Sequence, residues 1–295
     1  MAAGAKLSGR RLVVVIVTTC VLLYAVVVAL YAVNDVTQSG QTCSDDYPAD
    51  RITLSLTPKT VDAAANRITA TLDVVDFGPY GGQELPTAPI TIFISGVDGP
   101  RSYTFDEGVI PSPISIALIT EGFVQRWPFD SHTVRVGVLP VVNAGTDRAK
   151  AIEPFACGSA HVPGWTLSSV DVEGSGDLIA NGEPVEESLI TAQRSVATVA
   201  FGIVILGLMI VLPVLGLTVA IRVYRGERKA EATLMSWVAA ILFATLPLRG
   251  FLPGAPPIGS WVDYLVVLWV VAGLVASLVI YALGWLKWAP RGEKP

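Results

Sequence analysis

Residues 196–221 read VATVAFGIVILGLMIVLPVLGLTVAI, an uncharged apolar run that decides the fold. At a helical rise of about 1.5 Å per residue the run reaches about 39 Å, more than the roughly 30 Å of a bilayer's hydrocarbon core. Three further runs, residues 12–33, 233–248 and 262–286, are also strongly apolar. The chain is therefore predicted to be a membrane protein with one N-terminal and three C-terminal transmembrane helices.

The first apolar run follows Lys6, Arg10 and Arg11, so a cleaved secretory signal is one interpretation. However, the run is longer than the apolar part of a signal peptide. The stretch around residues 29–31 also lacks small residues at the cleavage spacing. We therefore predict an uncleaved signal-anchor.

Basic residues indicate the orientation of the helices. If all four runs span, three basic clusters lie on one side: Lys6, Arg10 and Arg11; Arg222, Arg225, Arg228 and Lys229; Lys287, Arg291 and Lys294. The positive-inside rule places both termini in the cytoplasm of a multi-pass plasma-membrane protein. The predicted order is a cytoplasmic N-terminus (1–11), a helix (12–33), an outer domain (34–194), a helix (195–222), a cytoplasmic loop (223–232), a helix (233–250), an outer hairpin (251–261), a helix (262–286) and a cytoplasmic tail (287–295).

The outer domain has the pattern of β-structure. Apolar residues alternate with polar or small ones, as in half-buried strands, and turn-forming residues separate the segments. The predicted strands are residues 51–56, 67–75, 90–95, 114–119, 133–139 and 165–172. Strands at this spacing favour an antiparallel β-sandwich, so the fold class is an α+β membrane protein.

Two of the three cysteines, Cys43 and Cys157, lie in this outer domain. Oxidising conditions outside the cell allow disulfides, so we predict a bond between them. Closing so long a loop would contribute about 4–5 kcal/mol in the chain-entropy picture. Two free thiols are the alternative, because the sequence does not show that the two are close.

The outer domain is acidic, with 21 Asp and Glu against 9 Lys and Arg between residues 34 and 194. Solubility outside the cell is the simpler interpretation of this charge. Cation binding near Asp171, Glu173 and Asp177 is the alternative, but the run lacks the ligand spacing of a calcium loop. The excess of acid argues against nucleic acid or anionic headgroups as partners of this face.

No enzyme signature stands out. Only two histidines occur, His132 and His161, and neither has a metal-ligand spacing. The sequence contains no nucleophile elbow, phosphate loop or dinucleotide fingerprint. We therefore predict a non-enzymatic protein without metal or cofactor.

A short motif, Trp127-Pro128-Phe129-Asp130, precedes the predicted strand at 133–139. Proline fixes a turn, and Asp can hydrogen-bond backbone amides two residues further on. Phe129 is expected to plug the core beneath the turn. The motif is interpreted as a rigid structural corner.

A second motif follows the third apolar run. It contains Arg249 and Asp263, separated by Pro253, Gly254, Pro256, Pro257 and Gly259. Proline and glycine at this density exclude a helix, so the segment is predicted to be a hairpin closed by an Arg249–Asp263 ion pair. The alternative is a functional polar site at membrane depth.

Three sets of residues carry a resemblance to a known family. The corner, the stretch 228–231 before Trp237, and above all the proline-rich hairpin resemble the mostly actinobacterial membrane family called domain of unknown function 4436. The resemblance covers nearly the whole chain. It implies one anchor, an outer β-domain and three spans, with no activity to transfer. Trp127 stands where a tyrosine is expected.

The corner is also similar to the Phe-Pro-Phe-Asp turn of pentameric ligand-gated channels. Here, however, the helices divide as one plus three, and run 196–221 lacks a polar stripe. We interpret the likeness as a recurrent sandwich corner. Gly202, Gly207 and Gly216 are expected to allow close helix approach, so an oligomer is possible.

The sequence thus predicts an envelope binding or scaffold module, in contact with lipid and with partner proteins that it does not identify. A channel or transporter subunit is the alternative.

Overall fold

The computed structural model describes residues 48–82, 85–158, 161–229 and 231–288, and between positions 14 and 32 residues 14, 17–19, 21–26, 28–29 and 32. Parts of the predicted first helix therefore lie outside the described residues, as do Cys43, residues 1–11 and most of the C-terminal tail. Of the first run, residues 17–19 and 21–26 are helical.

The outer domain is rich in β-structure. Its strands are β1 (Ile52–Asp62), β2 (Arg67–Asp76), β3 (Gly81–Gly82), β4 (Leu85–Pro86), β5 (Ile90–Ile94), β6 (Ser102–Phe105), β7 (Ile114–Ile119), β8 (Glu121–Gly122), β9 (Ser131–Val142), β10 (Lys150–Ala151), β11 (Pro154–Cys157), β12 (His161–Val162), β13 (Trp165–Val172), β14 (Ile179–Ala180), β15 (Glu183–Pro184) and β16 (Glu187–Arg194). Each of the six predicted strands is present. The last strand, β16, was not predicted.

The strands form two larger sheets. One has the order β11-β1-β2-β7 and the other the order β12-β13-β16-β9-β5-β6, with β8 and β10 also paired to β9. The prediction of a purely antiparallel domain is wrong at one place, since β1 and β11 pair in parallel. The long connection between these strands allows the chain to return in the same direction, which a tight hairpin cannot do.

The alternation of apolar and polar residues along the strands explains which side chains form the core of the outer domain. In β2, Ile68, Ala70, Leu72 and Val74 are buried while their neighbours are more exposed. Because successive side chains of a strand point to opposite faces, this sequence presents one apolar face. Buried side chains from both larger sheets belong to one hydrophobic cluster.

Three helices follow the outer domain: α1 (Val196–Tyr224), α2 (Ala232–Gly250) and α3 (Leu268–Trp288), the last preceded by a π-helical segment (Asp263–Val267). Each is long and apolar enough to cross a membrane. They coincide with the three predicted C-terminal spans, and are consistent with a membrane protein. The side chain of Ser195 caps α1 by accepting a hydrogen bond from the Thr198 amide.

Helix α1 packs chiefly on α3, whereas α2 makes fewer contacts. Only one of the three glycines singled out in α1 brings two helices together. A Cβ atom at Gly216 would lie 2.9 Å from Oγ of Ser277 in α3, whereas one at Gly207 would meet nothing within 4 Å. The third, Gly202, faces the outer domain instead.

Candidate functional site

The site with the most specific geometry is the junction between the outer domain and the helices. It combines the corner motif, the end of β16 and the hairpin between α2 and α3. Its residues come from segments far apart in the chain, so only the folded structure assembles them.

Trp127 is the apolar centre of the junction. The residue follows a short 3₁₀ turn (Val124–Arg126) and is 2% exposed. Its Nε1 donates a hydrogen bond of 2.9 Å to the carbonyl of Pro253 in the hairpin. The peptide bond from Trp127 to Pro128 is cis.

The prediction that Phe129 plugs the core is wrong, because its side chain is 75% exposed. Trp127 takes the buried position instead. An indole combines a large apolar body with an N–H group, and the buried N–H here finds a carbonyl partner. A phenylalanine could fill the space but could not donate this hydrogen bond.

Asp130 forms the electrostatic centre of the junction with Arg194, the last residue of β16. Arg194 donates from Nε to Oδ1 at 2.5 Å and from Nη2 to Oδ2 at 3.0 Å. Nη1 also donates to the carbonyl of Pro253, at 3.2 Å. We expected Asp130 to bond backbone amides, but its carboxylate joins the corner to Arg194. A bidentate guanidinium–carboxylate pair fixes the relative orientation of its two side chains as well as adding energy.

His132 and Trp165 enclose this pair. His132 is fully buried, and its Nε2 lies 3.3 Å from Oδ2 of Asp130. The imidazole meets the Trp165 ring edge-on at a centroid distance of 5.8 Å. The guanidinium of Arg194 lies 4.6 Å from the centre of the same indole ring, a cation–π contact. The charge is thus surrounded by aromatic rings rather than water.

Burial raises the pKa of Asp130, but hydrogen bonds from His132 and Arg194, together with the Arg194 charge, outweigh burial. The net pKa lies below the ordinary value of 3.8. Asp130 is therefore an anion at neutral pH.

Acidification should remove the stabilisation that ionised Asp130 contributes. With a folded-state pKa below 3.8, this contribution is fully present above about pH 4 and is lost as the pH falls through the folded-state value. We expect the difference in thermal unfolding midpoint between the unaltered protein and Asp130→Asn to shrink below about pH 4. Calorimetry in detergent at a series of pH values measures this difference in unfolding midpoint. A difference that stays constant down to acid unfolding would contradict the assignment.

Gly202 allows α1 to approach the corner. A Cβ atom at this position would lie 2.8 Å from Cη2 and 3.0 Å from Cζ2 of Trp127. Because the indole is buried and hydrogen-bonded to the hairpin, it cannot turn aside without breaking that bond. A Cβ atom at Gly254 would lie even closer to the guanidinium of Arg194, and the residue has a positive φ of 71°.

Alanine at Gly202 should therefore destabilise the protein, by about 1–3 kcal/mol, as overpacking does. Gly207→Ala is the matched control, since the same helix leaves open space there. Alanine favours helix over glycine by about 1 kcal/mol, so the control should be neutral or more stable. Equal unfolding midpoints for the two variants would show that Trp127 does not hold α1 closely.

The hairpin closes on the two predicted partners, Arg249 and Asp263. Arg249 donates from Nε to Oδ1 at 2.7 Å and from Nη2 to Oδ2 at 2.8 Å. The same Nη2 lies 3.1 Å from the carbonyls of both Pro256 and Pro257. Asp263 also accepts a hydrogen bond from the amide of Gly259, at 2.8 Å. The pair thus organises the non-helical turn around one guanidinium.

The other candidate residues lie away from the junction. Cys157 ends β11, opposite Ser55 of β1. Its bond to Cys43 stays a prediction, because Cys43 lies outside the described residues. In the acidic run, Asp171 accepts a hydrogen bond from Ser188. Across the described part of the chain, no group of three His, Cys, Asp or Glu side chains is placed to hold a metal ion.

Arg194 is the residue that the sequence analysis missed. A signal was available: it is the one basic residue directly before an apolar run on the side predicted to be outside. A positive charge at that position opposes the positive-inside tendency, so an acidic partner is expected beside it. The sequence does not show that the partner is Asp130, 64 residues earlier.

A β-rich domain hydrogen-bonded through Trp127 and Arg194 to the hairpin of three apolar helices is consistent with an integral membrane protein. Residues 42–186 match the family described as Domain of unknown function (DUF4436). The resemblance predicted from the sequence is thereby confirmed for the outer domain. Residues 194–288, which include the proline-rich hairpin, match a second family, described as Domain of unknown function (DUF8686). No curated protein matches the chain.

Proposed function

We propose that the protein is an integral plasma-membrane protein whose outer β-domain is a non-enzymatic binding or scaffold module. The junction carries this proposal. Only Ser195 separates the end of β16 from the start of α1. Arg194, fixed by its buried pair with Asp130, and Trp127 both donate hydrogen bonds to the Pro253 carbonyl of the hairpin. A simple tether needs only a flexible linker. A rigid mounting holds a binding surface at a set height and angle above the membrane.

The proposed topology has both termini in the cytoplasm and a signal-anchor at residues 12–33. The distribution of Lys and Arg supports it. The shared core supports the proposal that the two larger sheets pack as a sandwich. We further propose a Cys43–Cys157 disulfide. Thiol labels added to sealed cells should then modify Cys157 only after reduction.

The partner is proposed to be a second envelope protein. The acidic domain favours a partner with a basic surface over nucleic acid. Exposed apolar residues in this domain, such as Ile110 and Val170, offer positions for a photo-crosslinker. The non-enzymatic part of the proposal rests on the lack of catalytic motifs in the sequence.

Photo-crosslinking in native membranes tests the proposal. With p-benzoyl-phenylalanine in place of Ile110 or Val170, we expect one discrete product containing a different polypeptide, recovered reproducibly. Arg194→Met should weaken that product, because a loosened junction no longer orients the domain. Products containing only copies of this chain, or none, would refute the scaffold proposal.

A channel subunit is the second candidate, favoured by the exposure of α2. Few of its side chains are buried, and Phe243 and Leu246 are largely exposed. A second copy could cover this surface as well as lipid could. The corner that resembles the turn of ligand-gated channels also contacts the helices, as coupling between a domain and a pore requires.

Ion flux separates the two candidates. Liposomes that hold only this protein should show no flux above protein-free liposomes if it is a scaffold. Flux that requires the protein, and that Gly202→Ala alters while Gly207→Ala does not, would favour the channel. The spans carry no charge between Ser195 and Arg222 or between Glu231 and Arg249, which argues against a polar pore in α1 or α2.

A further inference from the structure

Two phenylalanines of the outer domain are exposed beside an otherwise buried corner. Phe129 is 75% exposed and Phe123 is 65% exposed. Leaving such rings in water is unfavourable relative to burying them. Their neighbour Trp127 is buried, so the exposure is specific to these two rings and does not reflect a loose corner.

The length of helix α1 indicates where this corner lies relative to the hydrocarbon core of the membrane. A hydrocarbon core of roughly 30 Å corresponds to about 20 helical residues. Counting about 20 residues outward from Arg222, the charged residue at the cytoplasmic end of α1, reaches Gly202. Gly202 is the residue that contacts the Trp127 ring. The corner therefore lies at the outer boundary of the hydrocarbon core.

Helix α3 gives the same level independently. About 20 residues outward from Lys287 lies Val267, just inside Asp263. The hairpin, which accepts the hydrogen bond from Trp127, thus also lies at the interface. Its exposed side chains include Phe251, Ile258 and Trp261. Aromatic residues at this depth are favoured because the ring is apolar while the surroundings are partly polar.

The two phenylalanines share this level. Gly122 pairs with His132, which brings the start of the corner beside its end. The amide of Arg126 donates to the carbonyl of Phe123, and the amide of Phe129 donates to the carbonyl of Arg126, so two successive turns connect the two phenylalanines. The guanidinium of Arg126 lies 5.2 Å from the centre of the Phe123 ring. Arginine with its stem on an apolar surface and its charge at headgroup depth suits an interfacial position.

We infer that Phe123 and Phe129 contact the outer lipid leaflet, so that the β-domain rests on the bilayer in addition to being connected to it. The partner is lipid at the headgroup–acyl boundary. Buried apolar area is what draws such a surface to a membrane. The contact also explains why the corner leaves its two phenylalanines uncovered by protein.

Photo-crosslinking of the full chain in nanodiscs of phosphatidylcholine and phosphatidylglycerol tests the inference. The crosslinker p-benzoyl-phenylalanine replaces Phe129, and mass spectrometry detects adducts of one lipid. Phe243, 73% exposed in α2, is the positive reference, and Ile110, 77% exposed in the loop between β6 and β7, is the control. We expect lipid adducts at position 129 at about the level of position 243 and at least about tenfold above position 110.

If protein rather than lipid covers this surface, the crosslinked products will differ. A dimer-sized product would assign the surface to a second copy, and a crosslink to residues 33–47 would assign it to the chain's own segment. Either result, or a lipid yield no higher than at position 110, would overturn the inference. Because Phe129 is exposed, its replacement should leave the unfolding midpoint in detergent unchanged, which verifies that the probed protein is folded.

Discussion

Replacing Arg194 by methionine should destabilise the protein by about 3–5 kcal/mol, the usual cost of leaving a buried charge without its partner. Asp130 would lie in a site closed by His132 and Trp165 with no cation to balance its charge. The Pro253 carbonyl would also lose one of its two donors. The expected observation is a large fall in the thermal unfolding midpoint in detergent, followed by calorimetry or tryptophan fluorescence.

Arg51→Met is the matched control. Arg51 and Glu153 form an ion pair at 3.4 Å on the surface of the same domain, with 39% and 71% of the two side chains exposed. Exposed pairs contribute about 0–1 kcal/mol, so this variant should unfold close to the unaltered protein. The double variant Arg194→Met with Asp130→Asn should regain part of the loss, because it leaves no buried charge. Similar midpoints for Arg194→Met and Arg51→Met would show that the buried pair does not hold the junction.

Arg249→Met should be the most harmful of the hairpin substitutions. The guanidinium holds both oxygens of Asp263 and reaches the carbonyls of Pro256 and Pro257. Since the two side chains of the pair are 19% and 17% exposed, we discount the cost of a fully buried pair to about 2–3 kcal/mol. The turn between α2 and α3 should open, and the midpoint in detergent should fall.

Two further variants sharpen this test. Arg249→Lys keeps the charge but loses the planar fork, so its midpoint should lie between those of the methionine variant and the unaltered protein. Arg225→Met, at an exposed position beyond the C-terminal end of α1, should change stability by less than about 0.5 kcal/mol. An unchanged midpoint for Arg249→Met together with lost partner crosslinking would reassign the pair to a functional polar site at membrane depth.

The two ion pairs act on one segment. The carbonyl of Pro253 accepts hydrogen bonds from Trp127 and Arg194, while the carbonyls of Pro256 and Pro257 face Arg249. The hairpin is thus held by the outer domain on one side and by its own helices on the other. A change in the tilt of the β-domain would be transmitted to the ends of α2 and α3.

Local patterns predicted the elements well. The alternation in residues 67–75 corresponds to β2, and the uncharged run at 196–221 corresponds to most of α1. The Arg249–Asp263 pair was also within reach, because the turn is short and holds two opposite charges. Each of these features depends on residues near one another in the chain.

The junction was harder to predict. The sequence analysis assigned no strand to residues 187–194 and gave Arg194 no role. It placed Phe129 rather than Trp127 in the buried position of the corner. The misplaced Phe129 and the missing role of Arg194 have the same cause, since both Trp127 and Arg194 bond the carbonyl of Pro253, which lies 126 and 59 residues away from them.

Hydrophobicity and period, which are properties of neighbouring residues, were sufficient for the sequence to determine three apolar helices behind a β-rich domain. Which side of the corner is buried, and which carboxylate receives Arg194, was decided only when distant segments met. A buried hydrogen bond or ion pair requires both partners at a set distance, and that distance exists only in the folded chain.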